Sequence, residues 1–178
     1  DVARIISGKS ELVIVEVDPV EIISHAIESA KPSADAKNIF IDLKIDESVE
    51  GESINGDRDR LRQVFSNLLN NAIKFSPQNT EIEVGLDVRD DFAEITVRDS
   101  GMGISSEFLP LVFERFRQDK TVSTKNGGLG LGLAIVRNLV EMHGGSVSAA
   151  SEGEARGATF TVRLPFASNN ATVQTASN

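Results

Sequence analysis

The chain has 178 residues, 40% of them hydrophobic, with no cysteine and a formal net charge of −9. This composition suits one compact domain, excludes disulfide bonds and thiolate metal sites, and argues against binding to nucleic-acid phosphates. No apolar run reaches the roughly 20 residues that a membrane helix needs. Because the chain opens without Met or a signal peptide, we expect a piece of a longer protein whose other parts could include membrane spans.

The first quarter of the chain predicts a strand, a helix and a second strand. Residues 11–17, ELVIVEV, form a short apolar run typical of a strand. Asp18 and Pro19 suit the cap and first turn of a helix, which Pro32 is expected to end or bend. Apolar residues then alternate over residues 39–45, and this alternation predicts the second strand.

A loop, a long helix and a hairpin are predicted next. Residues 51–56 begin and end with glycine, as connecting loops do, and an amphipathic helix is predicted over about residues 58–75. Residues 81–88 and 92–98 predict two strands joined by a charged turn. The buried stripe of the long helix is expected to contain Leu61, Val64, Leu68, Leu69, Ala72 and Phe75.

The second half of the chain predicts loops, one helix and a final pair of strands. We expect short helical turns at 105–116, a polar loop at 117–128 and a helix at 129–143, which two glycines end. Residues 147–150 and 158–164 predict the last strands. The order of elements favours an α/β sandwich with helices on one face of a mixed sheet.

Three polar residues share one face of the predicted long helix. Asn67, Asn71 and Lys74 are spaced by four and three residues, so their side chains lie on one side. This face could be the solvated edge of an amphipathic helix. Alternatively, an amide oxygen suits Mg²⁺, which keeps waters and phosphates as its other ligands, and the lysine adds a charge toward phosphate.

The segment DSGMGI at 99–104 directly follows the predicted strand at 92–98. Because Asp and Gly are common turn residues, a structural turn is one interpretation. The other is recognition of a base, since a carboxylate at a strand end accepts hydrogen bonds from an exocyclic amine such as that of adenine. The glycines would let a flat ring lie against the backbone.

Glycines recur at positions 127, 128, 130 and 132, where the polar loop meets the predicted helix. Their spacing matches neither a P-loop nor the GxGxxG dinucleotide fingerprint, so a flexible hinge is one interpretation. The other is an anion site, because free N–H groups and partial positive charge at a helix N-terminus favour phosphate.

These motifs stand in one order, and together they resemble the ATP-binding catalytic domain of sensor histidine kinases, within the Bergerat-fold group. Residues 67–75 (NLLNNAIKF) resemble the family's N box, 99–104 its G1 box, 113–116 (FERF) its F box and 128–133 (GLGLGL) its G2 box. The segment GATF at 157–160 is similar to the closing glycine and strand. The resemblance implies a two-layer α/β sandwich with a mixed, mostly antiparallel sheet.

The resemblance also implies a Mg²⁺-ATP site with a role for each matching residue. Asn71 would coordinate Mg²⁺, Asn67 would lie beside it, and Lys74 would lie near the phosphates. Asp99 would hold the adenine amine, and Thr159 would lie under the base. The other residues implied to contact the nucleotide are Phe75, Gly101, Gly103, Ile104, Phe116, Thr124, Lys125, Gly128, Leu129, Gly130, Leu131 and Gly132.

A lid over the nucleotide, formed by residues 117–128, is a further implication of the resemblance. Its glycines would allow the change of shape that accompanies nucleotide exchange, and Phe116 would pack beside it. Many family members carry tyrosine and arginine after the second F-box phenylalanine, whereas Arg117 directly follows it here. Arg117 and Lys125 are therefore both candidates for the cation that meets the γ-phosphate.

One position separates kinases from the ATP-hydrolysing members of the group. Those ATPases carry Glu four residues before the Mg²⁺-binding Asn, where its carboxylate activates water, whereas this chain has Asn67. Because an amide cannot take a proton from water, hydrolysis is disfavoured. The resemblance therefore implies a protein-histidine kinase with Asn67 and Lys74 as its catalytic residues.

The phosphate acceptor of this family is a histidine on a helical hairpin that precedes the catalytic domain. By resemblance, residues 1–10 would end the second hairpin helix, 11–166 would form the catalytic domain, and 167–178, rich in Ser, Asn, Thr and Ala, a disordered tail or linker. His25 lacks the acidic neighbour of the acceptor motif. His143 at a helix end suits the helix dipole as a cation, and we expect structural roles for both.

The implied partners are the hairpin domain of the same protein and a response-regulator receiver domain, without nucleic acid or membrane contact. We expect a cytoplasmic, monomeric fragment of a homodimeric protein. The alternatives are a non-catalytic signalling switch that binds nucleotide or only a partner, a kinase for serine on a partner protein, and a chaperone-type ATPase. Intact N, G1 and G2 motifs weigh against the first alternative, and Asn67 weighs against the last.

Overall fold

A layer of three helices packs against one face of a five-stranded sheet. The computed structural model that gives this arrangement describes residues 11–117 and 129–167. The elements are β1 (Val15–Val17), α1 (Pro19–Ala36), β2 (Phe40–Ile45), β3 (Ile54–Gly56), α2 (Arg58–Phe75), β4 (Glu81–Arg89), β5 (Phe92–Asp99), α3 (Gly132–Met142), β6 (Ser146–Ala150) and β7 (Ala158–Pro165), with single 3-10 turns at Glu47–Val49 and Leu109–Leu111.

Some predictions concern residues that are not described. The hairpin end at 1–10, residues 118–128 of the expected lid and residues 168–178 of the expected tail lie outside the described residues. Among the helices that are described, none is long and apolar enough to cross a membrane.

The main sheet has the strand order β2-β4-β5-β7-β6. β2 pairs with β4 in parallel, and the other three pairs are antiparallel. A second, two-stranded sheet pairs β1 with β3, with Val17 opposite Ile54. This mixed, mostly antiparallel sheet with helices on one face confirms the predicted fold class.

The predicted loop at 51–56 is wrong over its last three residues, which form β3. Ile54 is buried and also bridges to Phe166 beyond the last strand. The Ala167 N–H donates to the Ser53 carbonyl at 2.8 Å. β3 therefore exists because distant segments pair with it, and a local glycine pattern does not reveal such pairing.

The core lies between the sheet and the helices. Alternate residues of the central strands point inward, as the two-residue period of a strand requires. The helices meet them with their apolar stripes, in which Leu61 and Leu139 have no exposed surface. Each such side chain stabilises the fold by about 1.5–3 kcal/mol through burial. The inward residues of β4, β5 and β7 are Ile82, Val84, Leu86, Ala93, Ile95, Val97, Ala158, Phe160, Val162 and Leu164.

α1 begins where the sequence predicts. The Asp18 carboxylate accepts a hydrogen bond from the Val20 N–H at 2.8 Å and caps the helix. Pro32 was expected to end or bend the helix. It does not end it, since the helix continues to Ala36. Pro32 lies on the exposed side, where water can replace the hydrogen bond that proline removes, and buried Ala34 holds the last turn against the core.

α2 has the predicted bounds, and Asp57 caps its beginning. The Asp57 carboxylate accepts from the N–H groups of Asp59 and Arg60, each at 3.1 Å, and from the Val13 N–H at 3.0 Å. Burial alone would raise the pKa of Asp57, but these three hydrogen bonds, together with the charge of Arg60, outweigh it and lower that pKa. One carboxylate thus joins the N-terminal segment to the start of the long helix.

α3 begins at Gly132, three residues later than predicted. Gly130 has a φ of +66°, and this left-handed conformation interrupts a right-handed helix. The predicted end of the helix is close to the observed one, since α3 ends at Met142 and Gly144 adopts a φ of +72°.

His143 follows α3 and is buried, with 6% of its surface exposed. Its Nδ1 lies 2.7 Å from the Leu139 carbonyl, and its Nε2 accepts a hydrogen bond from the Asp57 N–H at 3.0 Å. Only a neutral ring with its proton on Nδ1 satisfies both contacts. Burial lowers the pKa of His143, despite the opposing effects of Leu139 and Asp57. The structural role predicted for His143 is thus supported, but the ring bridges two helices in its neutral form and not as the cation that the helix dipole suggested.

We predict that His143→Gln lowers the free energy of unfolding and weakens its pH dependence. Because burial lowers the pKa of His143, the unfolded chain takes up this proton first when the pH falls below about 6.5. Wild-type stability from this group is therefore complete above that pH and decreases as the pH falls toward the lowered pKa. Loss of one of the two buried hydrogen bonds is expected to cost about 1–3 kcal/mol near neutral pH, as measured by urea unfolding.

His25→Gln is the matched control, because His25 is exposed on α1. It is expected to keep the wild-type pH profile. A His143→Gln variant whose stability falls between about pH 7 and pH 5 as steeply as that of the wild type would contradict this account of the buried imidazole.

Candidate functional site

A cleft of about 400 Å³ opens between α2, the turn after β5 and the segment that leads into α3. Its polar side chains come mainly from α2 and the end of β5, and much of its apolar wall comes from β7 and from the segment between β5 and α3. The residues that line it are Asn67, Asn70, Asn71, Lys74, Phe75, Asp99, Met102, Gly103, Ile104, Phe108, Val112, Arg117, Leu129, Gly130, Leu131, Gly132, Leu133, Ala158 and Phe160.

α2 brings three asparagines and a lysine into the cleft. Their spacing of one, three or four residues keeps them on one side of the helix, while the opposite side is buried in the core. The Asn67 amide donates to the Gly132 carbonyl at 3.5 Å, which joins α2 to the first residue of α3. The solvated-edge interpretation is therefore incomplete, because this polar face forms one wall of a cleft.

Lys74 and Phe75 lie at the end of α2. The Lys74 Nζ is 5.1 Å from the centre of the Phe75 ring, a distance at which the ring face attracts the cation. Phe75 was predicted in the buried stripe, but it is half-buried and lines the cleft. The last turn of α2 therefore offers a positive charge beside an aromatic ring.

Asp99 is the last residue of β5 and is buried, with 7% of its surface exposed. Its Oδ1 accepts from the Gly101 N–H at 2.8 Å, and the Ala158 N–H also donates to the carboxyl group. Burial raises the pKa of Asp99, although these two N–H groups act in the opposite direction. A carboxylate has about four acceptor sites, so acceptor capacity remains for a ligand that donates hydrogen bonds.

The glycines of the turn after β5 are required by close backbone packing. A Cβ at Gly101 would lie 2.3 Å from the Phe75 carbonyl oxygen. At Gly103, where φ is +70°, a Cβ would lie 2.0 Å from the Gly153 carbonyl oxygen. The sequence pattern suggested room for a flat ring, and the structure adds a stricter reason, contact between backbone segments.

The glycine run forms the other wall of the cleft, beside the start of α3. The Phe116 N–H donates to the Gly130 carbonyl at 3.0 Å, so this run is fastened to the end of the preceding segment. Gly132 begins α3, and within the described residues no atom beyond its chain neighbours and its own helix backbone lies within 4 Å of a Cβ placed there. A helix N-terminus at a cleft wall favours an anionic group.

Most of the predicted site residues are brought together. Asn67, Asn71, Lys74, Phe75, Asp99, Gly103, Ile104, Leu129, Gly130, Leu131 and Gly132 all line the cleft. Gly101 lies beneath it, against α2, while Thr124, Lys125 and Gly128 lie outside the described residues.

Two predicted positions do not line the cleft. Thr159 lies between Ala158 and Phe160, which do line it, so the alternation of the strand turns Thr159 to the opposite face. Ala158 occupies the place expected for Thr159, and that prediction is wrong. Phe116 is 71% exposed, and its backbone N–H contacts the glycine run.

The sequence interpretation missed several lining residues. Asn70 lies three residues after Asn67, and helical spacing could have identified it. Phe108, Val112 and Phe160 resemble ordinary core residues, and no sequence signal distinguishes them. Arg117, named only as an alternative cation, lines the cleft and forms an ion pair with Glu114 at 3.1 Å.

Comparison with known proteins identifies relatives of the whole region. A model of the histidine kinase-, DNA gyrase B- and HSP90-like ATPase family matches residues 56–168, more than half of the chain. The hybrid signal transduction histidine kinase D of Dictyostelium discoideum is 37% identical over 196 aligned residues, which cover 93% of this chain and 13% of that protein. The chain thus spans a small part of this relative's length.

Solved structures are similar in fold. A mycobacterial sensor histidine kinase, MprB, has a TM-score of 0.76 and 30% identity, covering 85% of this chain and 98% of that chain. Full-length ShkA, solved in complex with AMPPNP, has a TM-score of 0.78 and 31% identity, covering 93% of this chain and 34% of that chain.

Proposed function

The chain belongs to the histidine kinase-, DNA gyrase B- and HSP90-like ATPase family, and from this membership and its cleft we propose that it binds Mg²⁺-ATP as the catalytic domain of a sensor histidine kinase. It transfers the γ-phosphoryl group to a histidine on a helical-hairpin domain of the same protein. A response-regulator aspartate then receives the group. The observation that carries this proposal is the buried Asp99 carboxylate in a cleft that also holds amides, a lysine and a helix N-terminus.

The two ends of the cleft suit the two ends of a nucleotide. Phe75 contacts the turn that follows Asp99, whereas Asn67 contacts the first residue of α3. These two residues are eight positions apart on α2, or about 12 Å along its axis at 1.5 Å per residue. The cleft is therefore long enough to separate a base site from a phosphate site.

At the base end, Asp99 is the proposed acceptor for the adenine amine. The N–H groups of Gly101 and Ala158 already donate hydrogen bonds to Asp99. The side chain at this position must therefore be one that only accepts, as a carboxylate does. Met102 and Ile104 line the cleft beside it, and such apolar surface suits a flat ring.

At the phosphate end, Asn71 is the proposed Mg²⁺ ligand, because an amide oxygen suits this hard cation. Arg117 and, from the last turn of α2, the long side chain of Lys74 both line the cleft and would neutralise phosphate charge. The N–H groups at the start of α3 would donate to phosphate oxygens. When bound, Mg²⁺-ATP supplies the transferable phosphoryl group, and the residues of the chain supply position and charge.

Transfer rather than hydrolysis is proposed because of Asn67. Its amide carries no basic group, and its N–H already donates to the Gly132 carbonyl. A general base would have to take a proton from the attacking water. With an amide in this place the phosphoryl group is kept for a protein acceptor.

The acceptor is proposed to lie on another domain. The chain has two histidines, and neither lines the cleft. His25 is exposed on α1, and both ring nitrogens of His143 are hydrogen-bonded within the core. This arrangement supports a hairpin domain, presented to the cleft from outside, as the phosphorylated partner.

We predict that Asp99→Asn reduces the affinity for Mg²⁺-ATP by about a hundredfold. The amide replaces one acceptor oxygen by an NH₂ group, which then faces another donor, either the backbone N–H groups or the adenine amine. Isothermal titration calorimetry of the isolated chain measures the effect.

Asp87→Asn is the matched control, because Asp87 lies on β4 outside the cleft lining and pairs with Arg89. This variant is expected to bind as the wild type does. Unchanged binding by Asp99→Asn would reject Asp99 as the adenine acceptor.

A phosphotransfer assay tests the proposed reaction. The chain alone, incubated with γ-labelled ATP and Mg²⁺, is expected to acquire little label, because neither of its histidines lines the cleft. Addition of its hairpin domain is expected to give an acid-labile label on that domain, and a hairpin with the acceptor histidine changed to glutamine is the control. Stoichiometric labelling of His25 or His143, or rapid release of free phosphate instead, would contradict the proposal.

A further inference from the structure

Lys37 lies between α1 and β2, outside the cleft lining, and its ammonium group binds the end of α2. The Nζ donates to the carbonyl oxygens of Ile73 at 2.7 Å, Ser76 at 2.6 Å and Lys74 at 3.3 Å. An ammonium group has three N–H donors. All of its hydrogen-bonding capacity is therefore directed at one helix terminus.

The other carbonyl groups of this terminus also have partners. The Ser76 N–H donates to the Ala72 carbonyl at 3.0 Å, and the Met102 N–H donates to the Phe75 carbonyl at 3.2 Å. A helix end leaves its last carbonyl groups unpaired unless outside groups supply donors. Lys37 supplies the donors for three of the five carbonyl groups in residues 72–76, and the turn after β5 supplies the donor for one.

The helix turn that Lys37 binds also forms part of the cleft. Lys74 and Phe75 line it, and the turn that follows Asp99 packs on the Phe75 carbonyl so closely that Gly101 has no room for a side chain. A cation at a helix C-terminus stabilises the last turn. Without the Lys37 ammonium group, the Ile73 and Ser76 carbonyl groups lose this donor at a half-buried site. The surface that supports the turn after Asp99 is then no longer fixed.

Backbone and side-chain contacts hold Lys37 in place. Its own N–H donates to the Ala34 carbonyl at 3.1 Å, and its carbonyl accepts from the Asn79 N–H at 3.1 Å. Asn38 Nδ2 donates to Asn79 Oδ1 at 2.6 Å. The segment around Lys37 is thus fastened to the chain just after α2, so the side chain needs little additional ordering to reach the helix end.

We propose that Lys37 is a positioning residue for the nucleotide site. It does not touch the nucleotide, but it fixes the last turn of α2 and, through the hydrogen bond from Met102 to Phe75, the turn that carries Asp99. This inference rests on the proposed function for its effect on affinity, while its structural link between Lys37 and Met102 stands independently of any ligand.

The test compares Lys37→Met, which keeps the aliphatic stem and removes the donors, with Lys37→Arg, which keeps a charged donor group. In hydrogen exchange of the chain without ligand, Lys37→Met is expected to lower the protection of the Met102 amide more than that of the Ile95 amide in the core sheet. Its dissociation constant for Mg²⁺-ATP is expected to rise about tenfold, and Lys37→Arg is expected to restore most of both properties.

Two control variants separate positioning from general loss of stability. Lys44→Met removes a lysine whose ion pairs with Asp42 and Glu83 lie away from the cleft. Ile22→Val removes a methyl group from the fully buried face of α1. Both are expected to leave the relative protection of Met102 and the affinity unchanged. Lys37→Gln, measured in parallel, keeps an amide donor. Its Met102 protection and its affinity for Mg²⁺-ATP are expected to lie between those of the wild type and Lys37→Met. Lys37→Gln is the milder variant if Lys37→Met does not fold.

The outcomes distinguish the two proposals. If the wild type does not bind Mg²⁺-ATP, the proposed function fails. If the wild type binds and the folded Lys37 variants without a charge bind equally well, the positioning role fails while the proposed function stands. Equal loss of protection at Met102 and Ile95 in those variants would also overturn the positioning role, because it would indicate a general loss of stability.

Discussion

The cleft depends on the contact between the last turn of α2 and the turn after β5. The Phe75 carbonyl accepts from the Met102 N–H at 3.2 Å, and Gly101 packs against the same carbonyl. This contact sets the distance between the buried Asp99 carboxylate and the polar face of α2. Because two rigid elements meet there through backbone atoms, small side-chain changes elsewhere in the cleft need not disturb it.

Positive charge is concentrated at the cleft, although the chain as a whole is negatively charged. The chain carries a net charge of −9, yet Lys74, Arg117 and the N-terminus of α3 all lie at one cleft. Local cations and oriented N–H groups can therefore attract a polyanion that the protein as a whole would repel. The buried carboxylate of this cleft, Asp99, lies where two backbone N–H groups support it, so its acceptor role does not require a neighbouring cation.

The sequence predicted the strongly periodic parts well, and the failures have physical causes. The bounds of α2 follow from its stripe and its Asp57 cap, and the hairpin of β4 and β5 follows from strand alternation. β3 depends on distant pairing, and the start of α3 depends on the left-handed Gly130. The sequence motifs identified most of the polar residues that line the cleft. The family pattern predicted Thr159 in the cleft, but strand alternation places Ala158 there instead. The apolar wall carried no signal because core residues and ligand-contacting apolar residues look alike in a sequence.

The most direct test of the account is the choice between two nucleotides that differ at the atom Asp99 is proposed to bind. Inosine triphosphate carries a carbonyl oxygen where ATP carries the exocyclic amine, so it would place an acceptor against the Asp99 carboxylate. Calorimetric titration of the wild-type chain with each nucleotide and Mg²⁺ measures the difference. The account predicts that inosine triphosphate binds at least about a hundredfold more weakly than ATP, and equal affinities would contradict it.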